Sequence, residues 1–171
     1  CALPIYVFWV EVFGQRNGNP SDPTFAIDAV KVDEKGMEVL TRVTVADDNP
    51  TNLGGQFFNT TSDDPAFRFA VPADGAYRVT VRDRSFENRG DPSLVYRLAI
   101  RKETPDFRLV AMPIVPNPDP NQQASTWEVA LRKGDAVNLM IMAHRRDGFT
   151  GDIFVTAEGL PGGVTSTGAA L

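Results

Sequence analysis

At 171 residues the chain has room for one ordinary domain or two small ones, and its 42% hydrophobic content suits a protein that buries a core. Asp and Glu outnumber Lys and Arg by 22 to 17, and a net charge of −5 with scattered arginines excludes the concentrated basic face that nucleic acid needs. The single cysteine, Cys1, excludes an intrachain disulfide framework and is given no role.

Residues 5–12 form an apolar run that contains Glu11 and falls well short of the ~18 residues of a membrane helix, so no membrane insertion is expected. Between residues 30 and 40 the apolar positions recur at no steady interval of three or four and Gly36 interrupts them. That segment reads as two strands joined by Asp33-Glu34-Lys35-Gly36. Phe67, Phe69 and Val71 then alternate with Arg68, and Tyr77, Val79 and Val81 alternate with Arg78, Thr80 and Arg82. Pro72-Ala73-Asp74-Gly75 lies between them and supplies a fixed φ and a residue tolerant of positive φ, so the two runs are predicted to pair as a hairpin.

The same period of two recurs at Leu94, Tyr96, Leu98 and Ile100, at Phe107, Leu109 and Ala111, and at Trp127, Val129 and Leu131. It returns at Val137, Leu139, Ile141 and Ala143, and at Ile153, Val155 and Ala157. Turn residues separate these runs at Arg89-Gly90-Asp91-Pro92, Lys133-Gly134-Asp135, Arg146-Asp147-Gly148 and Leu160-Pro161-Gly162-Gly163. The Pro-rich stretch 113–120 reads as a long extended loop.

The predicted fold class is therefore all-β. Pro105, following a strand that ends at Arg101-Lys102-Glu103, marks a change of direction. The expected organisation is a jelly-roll-like sandwich over 5–103 and an incomplete, immunoglobulin-like sandwich over 106–171. The initial Cys and a strand beginning near 165–171 suggest a fragment of a longer protein.

Residues 6–101 resemble the bacterial pre-peptidase C-terminal domain. The matching features are Asp47-Asp48 after a strand, Asp64-Pro65-Ala66-Phe67-Arg68-Phe69, Val71-Pro72-Ala73-Asp74-Gly75-Ala76-Tyr77-Arg78-Val79, and Tyr96-Arg97-Leu98-Ala99-Ile100. The long form Tyr77-Arg78-Val79-Thr80-Val81-Arg82-Asp83 with Gly90-Asp91-Pro92 is similar to versions in large planctomycete-type proteins. There an immunoglobulin-like sandwich often follows, which Arg146-Asp147-Gly148-Phe149-Thr150-Gly151-Asp152-Ile153 and Gly159-Leu160-Pro161-Gly162-Gly163-Val164 resemble. The resemblance implies a non-catalytic accessory, spacer or adhesion module of a large secreted or cell-surface bacterial protein, with neighbouring domains of its parent as partners. Because the shared motifs are structural, they bear on fold more than on activity.

The residues themselves offer little catalytic chemistry. The only histidine, His144, lies beside Arg145 and Arg146, which disfavour a protonated imidazole. Neither a Gly-x-Ser-x-Gly elbow nor a His-Glu-x-x-His zinc motif occurs. Asp47-Asp48 and Asp63-Asp64 are the dense acidic spots. They suit turn capping better than the spaced pair of a glycosidase.

Calcium is the one cofactor these residues admit: Asp47, Asp48, Asp63 and Asp64, with Asn49 and Asn52, supply hard oxygen ligands if the intervening loop doubles back. Phe57, Phe58 and Phe86 lie in or near loops and are the candidates for stacking on a polysaccharide or matrix polymer. Trp9 and Trp127 lie on alternating strands and are expected to pack. Arg89-Gly90-Asp91 is read as a hairpin turn closed by Pro92, and it and the Asn59-Thr60-Thr61 sequon are matches too short to carry a function. Two further readings stand beside the spacer: a glycan- or matrix-binding module, or the accessory part of a secreted peptidase or other hydrolase whose catalytic domain lies elsewhere.

Overall fold

The computed structural model describes residues 6–55, 57–87, 90–114 and 130–171. It is all-β and antiparallel, with one 3₁₀ turn and no α-helix among the described residues. None of its helices is long and apolar enough to cross a membrane. The chain divides into two compact units, Cys1–Glu103 and Thr104–Leu171. The predicted strand around Trp127 and Val129, most of the Pro-rich stretch, Cys1 and Arg89 lie outside the described residues.

Among its described residues the first unit is a sandwich of six strands. Its strands are β1 (Val7–Phe13), β2 (Pro23–Val32), β3 (Glu38–Ala46), β4 (Ala66–Ala70), β5 (Ala76–Asp83) and β6 (Arg97–Lys102). They form one sheet in the order β4-β1-β6 and another in the order β3-β2-β5. Alternation decides which faces meet. Phe8, Val10 and Val12 stand opposite Phe69, Phe67 and Leu98 in register, while Phe25, Ile27 and Ala29 stand opposite Val81, Val79 and Tyr77. The core holds Val10, Val12, Phe25, Ile27 and Phe69, with Tyr77, Val79 and Val81 packed against it. Phe69 and Tyr77 meet edge to face across the two sheets at 5.1 Å, a favoured geometry for aromatic pairs. The β2–β3 hairpin turns through Asp33 and Gly36 as expected. Asp33 Oδ1 accepts from the Lys35 and Met37 N–H groups, and Gly36 takes the left-handed conformation (φ 76°).

Two expectations are corrected. The runs 67–71 and 77–81 do not form a hairpin, because β4 pairs with β1 and β5 with β2, so Pro72-Ala73-Asp74-Gly75 carries the chain from one sheet to the other. Alternation dictates that both strands bury an apolar face, and a crossing satisfies that as well as a pairing does. The same holds for the turn near Gly90-Asp91-Pro92, since β5 and β6 also belong to different sheets. There the Asp91 carboxylate accepts the Ser93 N–H and the Asp91 carbonyl accepts the Leu94 N–H, so Leu94 and Tyr96 precede the strand instead of opening it. These hydrogen bonds from Ser93 hold the Asp91 carboxyl below its usual range.

The second unit holds β7 (Asp106–Pro113) paired with β8 (Leu139–Arg146), and β9 (Phe154–Val155) paired with β10 (Ala169–Ala170). Ile153 and Leu171 exchange backbone hydrogen bonds and extend the second ladder. Phe107 and Phe149 pack at 5.1 Å, and the Arg145 guanidinium lies over the Phe149 ring.

Candidate functional site

Sheet register builds the most charged corner of the first unit. β2 is the central strand, with β3 and β5 antiparallel on either side. Phe25 stands opposite Ala46, and Pro23 opposite Asp83. The start of β2 and the ends of β3 and β5 therefore meet, which brings together Asp22, the Asp47-Asp48 pair, Asp83 and Arg84. One carboxylate oxygen from each of Asp22, Asp47 and Asp48 lies within 4.8 Å of the others. The Asp22 N–H donates to Asp83 Oδ2 at 3.1 Å and the Arg84 N–H to the Asp22 carbonyl at 2.7 Å, so the backbone is fixed on that side.

The electrostatics are unbalanced. Asp22 Oδ1 is buried and accepts no hydrogen bond from the described residues. Burial first, then the charge of Asp48, followed by Asp47 and Asp63, raises the Asp22 pKa, against the lowering effect of Arg84. The Arg84 guanidinium stands 3.4 Å from Asp47 and 3.7 Å from Asp48 and is the cation that offsets the cluster. Asp47 and Asp48 are both about half exposed, so the cluster is open to solvent ions.

Of the four aspartates singled out in the sequence, Asp47 and Asp48 join this cluster, whereas Asp63 and Asp64 serve the 3₁₀ turn at Gln15–Asn17. The loop does double back, since Asn49 and Ser62 pair across it. The Asp64 side chain is fully buried. Its Oδ1 accepts the Gly14 and Gln15 N–H groups at 2.7 and 2.8 Å, and its Oδ2 accepts Arg16 N–H and Nε–H at 2.9 Å each. Burial alone would push this carboxyl up, but the hydrogen bonds from Arg16, Gly14 and Gln15 together outweigh it and hold the pKa below the ordinary value. Asp63 and Gln15 exchange two hydrogen bonds beside it. The Asn49 and Asn52 side-chain oxygens accept loop N–H groups.

Sequence reasoning missed Asp22. Its signal, an acidic residue just before Pro23 at the head of an alternating strand, gains meaning only once β3 and β5 are known to flank β2.

The aromatic candidates are placed separately. Phe57 and Phe86 are exposed, Phe58 lies against Gly54, and Arg82 lies over the Phe86 ring at 5.2 Å. Among the described residues no ring contact joins the three. Trp9 lies on the outer face of β1 beneath the Arg101 guanidinium. His144 stands opposite Arg108 in the ladder, and burial, then Arg146 and Arg108, lower its pKa.

No protein-family model, curated protein or solved structure matches the chain.

Proposed function

We propose that the chain is a non-catalytic accessory module of a secreted or cell-surface bacterial protein, a spacer or adhesion unit in which calcium fastens the start of β2 to the end of β3. The observation that carries this reading is the Asp22, Asp47 and Asp48 cluster with its orphaned, buried Asp22 oxygen. Three carboxylates this close repel one another, and one guanidinium offsets only part of that repulsion. A calcium ion takes six to eight oxygens, so carboxylates from the loops at Asp22 and at Asp47-Asp48, completed by water, form a fitting set. The half-exposed ligands and the competing Arg84 suit the weak end of calcium affinities, about 10⁻⁴–10⁻³ M, typical of extracellular modules.

The remaining charges of the sandwich support a structural role. Asp28 pairs with Arg42 and Glu11 with Arg101 between hydrogen-bonded strands, while Arg68 with Glu103 and Arg78 with Glu38 reach across the central strand of each sheet from one edge to the other. The likeness of residues 6–101 to pre-peptidase C-terminal domains points to the same kind of module.

The test is thermal unfolding in chelator and in calcium. At about ten times its dissociation constant an ion bound only to the folded state adds ~1.4 kcal/mol. For a unit of this size that is a rise of roughly 5–10 °C in the midpoint. An unchanged midpoint in millimolar calcium would overturn the calcium part of the proposal. Turnover of peptide, ester or glycoside substrates by the purified chain would overturn the non-catalytic part.

A further inference from the structure

At the open edge between the two sheets of the first unit lies a groove of about 520 Å³, bordered by Phe8 of β1, Phe69 of β4, Val79 of β5 and Ile100 of β6, with the buried Val10 and Ile27 beneath it. Small-molecule sites span about 300–1,000 Å³, a range that includes this groove. The register explains the opening. Ile100 stands opposite Val10 and shares its inward face, yet Ile100 is 55% exposed, so the sandwich is unsealed beside edge strand β6.

The lining is apolar except where Tyr6, Asp74, Tyr77 and Lys102 contribute. Lys102 Nζ lies 5.8 Å from the Tyr6 ring centre, and the Tyr77 hydroxyl donates to the Ala73 carbonyl at 2.8 Å. Neither Lys102 nor Asp74 has an ion-pair partner among the described residues. Apart from Lys102 and the Tyr6 hydroxyl at one end, and the Tyr77 hydroxyl already donating to Ala73, the lining offers a sugar no side-chain hydrogen-bond donors. A purely anionic ligand would meet Asp74, and a purely cationic one would meet Lys102.

We propose that this groove binds a single-chain zwitterionic amphiphile. The alkyl chain lies in the groove along the open edge beside Ile100, the anionic part of the headgroup pairs with Lys102, and the cationic part rests against Asp74 and the Tyr6 and Tyr77 rings.

The test is isothermal titration of the full chain with dodecylphosphocholine below its critical micelle concentration, with dodecanoate and dodecyltrimethylammonium as single-charge comparators. Saturable one-to-one binding with a negative heat-capacity change is expected, tightening about tenfold for each two methylenes added. Lys102→Glu, a surface change, should weaken the phosphocholine ligand at least fivefold without moving the thermal midpoint. Ile100→Trp should weaken it at least tenfold by filling the groove. Absence of saturable binding, equal affinity for all three headgroups, or affinity unchanged by Lys102→Glu would overturn the proposal.

Discussion

Replacing Asp64 by Asn isolates what a buried carboxylate does in this fold. In the native protein its two oxygens accept four N–H groups, two each. An amide oxygen can still accept the Gly14 and Gln15 donors, but the amide NH₂ then faces the Arg16 N–H and Nε–H and leaves both without an acceptor. A stranded buried donor costs about 1–3 kcal/mol, and the part-exposed Arg16 side chain recovers some of this from water, so the change should destabilise by ~2–4 kcal/mol. For a unit of about 100 residues that lowers the midpoint on the order of 10–20 °C. The sign with pH follows from the depressed pKa. The carboxylate stabilises the fold above its unfolded value of about 4 and loses this contribution as pH falls through the lower folded value. The assay is urea unfolding of both proteins followed by far-ultraviolet circular dichroism from neutral pH to about pH 2. A difference within about 0.5 kcal/mol at neutral pH, or one that does not shrink in acid, would refute the reasoning.

Asp22 should behave with the opposite sign. Its raised folded pKa favours the fold below the unfolded value and loses that advantage as pH rises through the folded one. Asp22→Asn should therefore stabilise the chelated protein at neutral pH, in an increment that vanishes in acid, while removing the response to calcium; thermal scans across pH check both. Arg84→Gln removes the guanidinium beside Asp47 and Asp48, so it should lower the midpoint in chelator and enlarge the calcium-induced rise. Phe25→Ala empties a fully buried position and should cost about 3–5 kcal/mol in denaturant unfolding.

The sequence made the all-β class and most strands legible because period-two alternation reports a buried face directly. Strand pairing was less legible. Tyr77 and Phe69 show that they are inward without showing that they belong to opposite sheets, and a four-residue link containing Pro72 and Gly75 serves a crossing as readily as a hairpin. The candidate site was only partly legible for the same reason. Asp47 and Asp48 stood out as neighbours in sequence, but their partner Asp22 is supplied by a strand start that only the β3-β2-β5 order brings alongside. Asp64 looked like a ligand because it follows Asp63 in a loop. Its true surroundings, three backbone N–H groups and Arg16, come from the end of β1 some fifty residues earlier.

Equilibrium dialysis of calcium against the intact chain, beside the Asp47→Ala, Asp48→Ala double variant, tests the central claim most directly. The expected result is one ion per chain with a dissociation constant of about 10⁻⁴–10⁻³ M, lost in the double variant while its sandwich stays folded in chelator. Retention of no calcium by the native chain, or of the same amount by the variant, would contradict it.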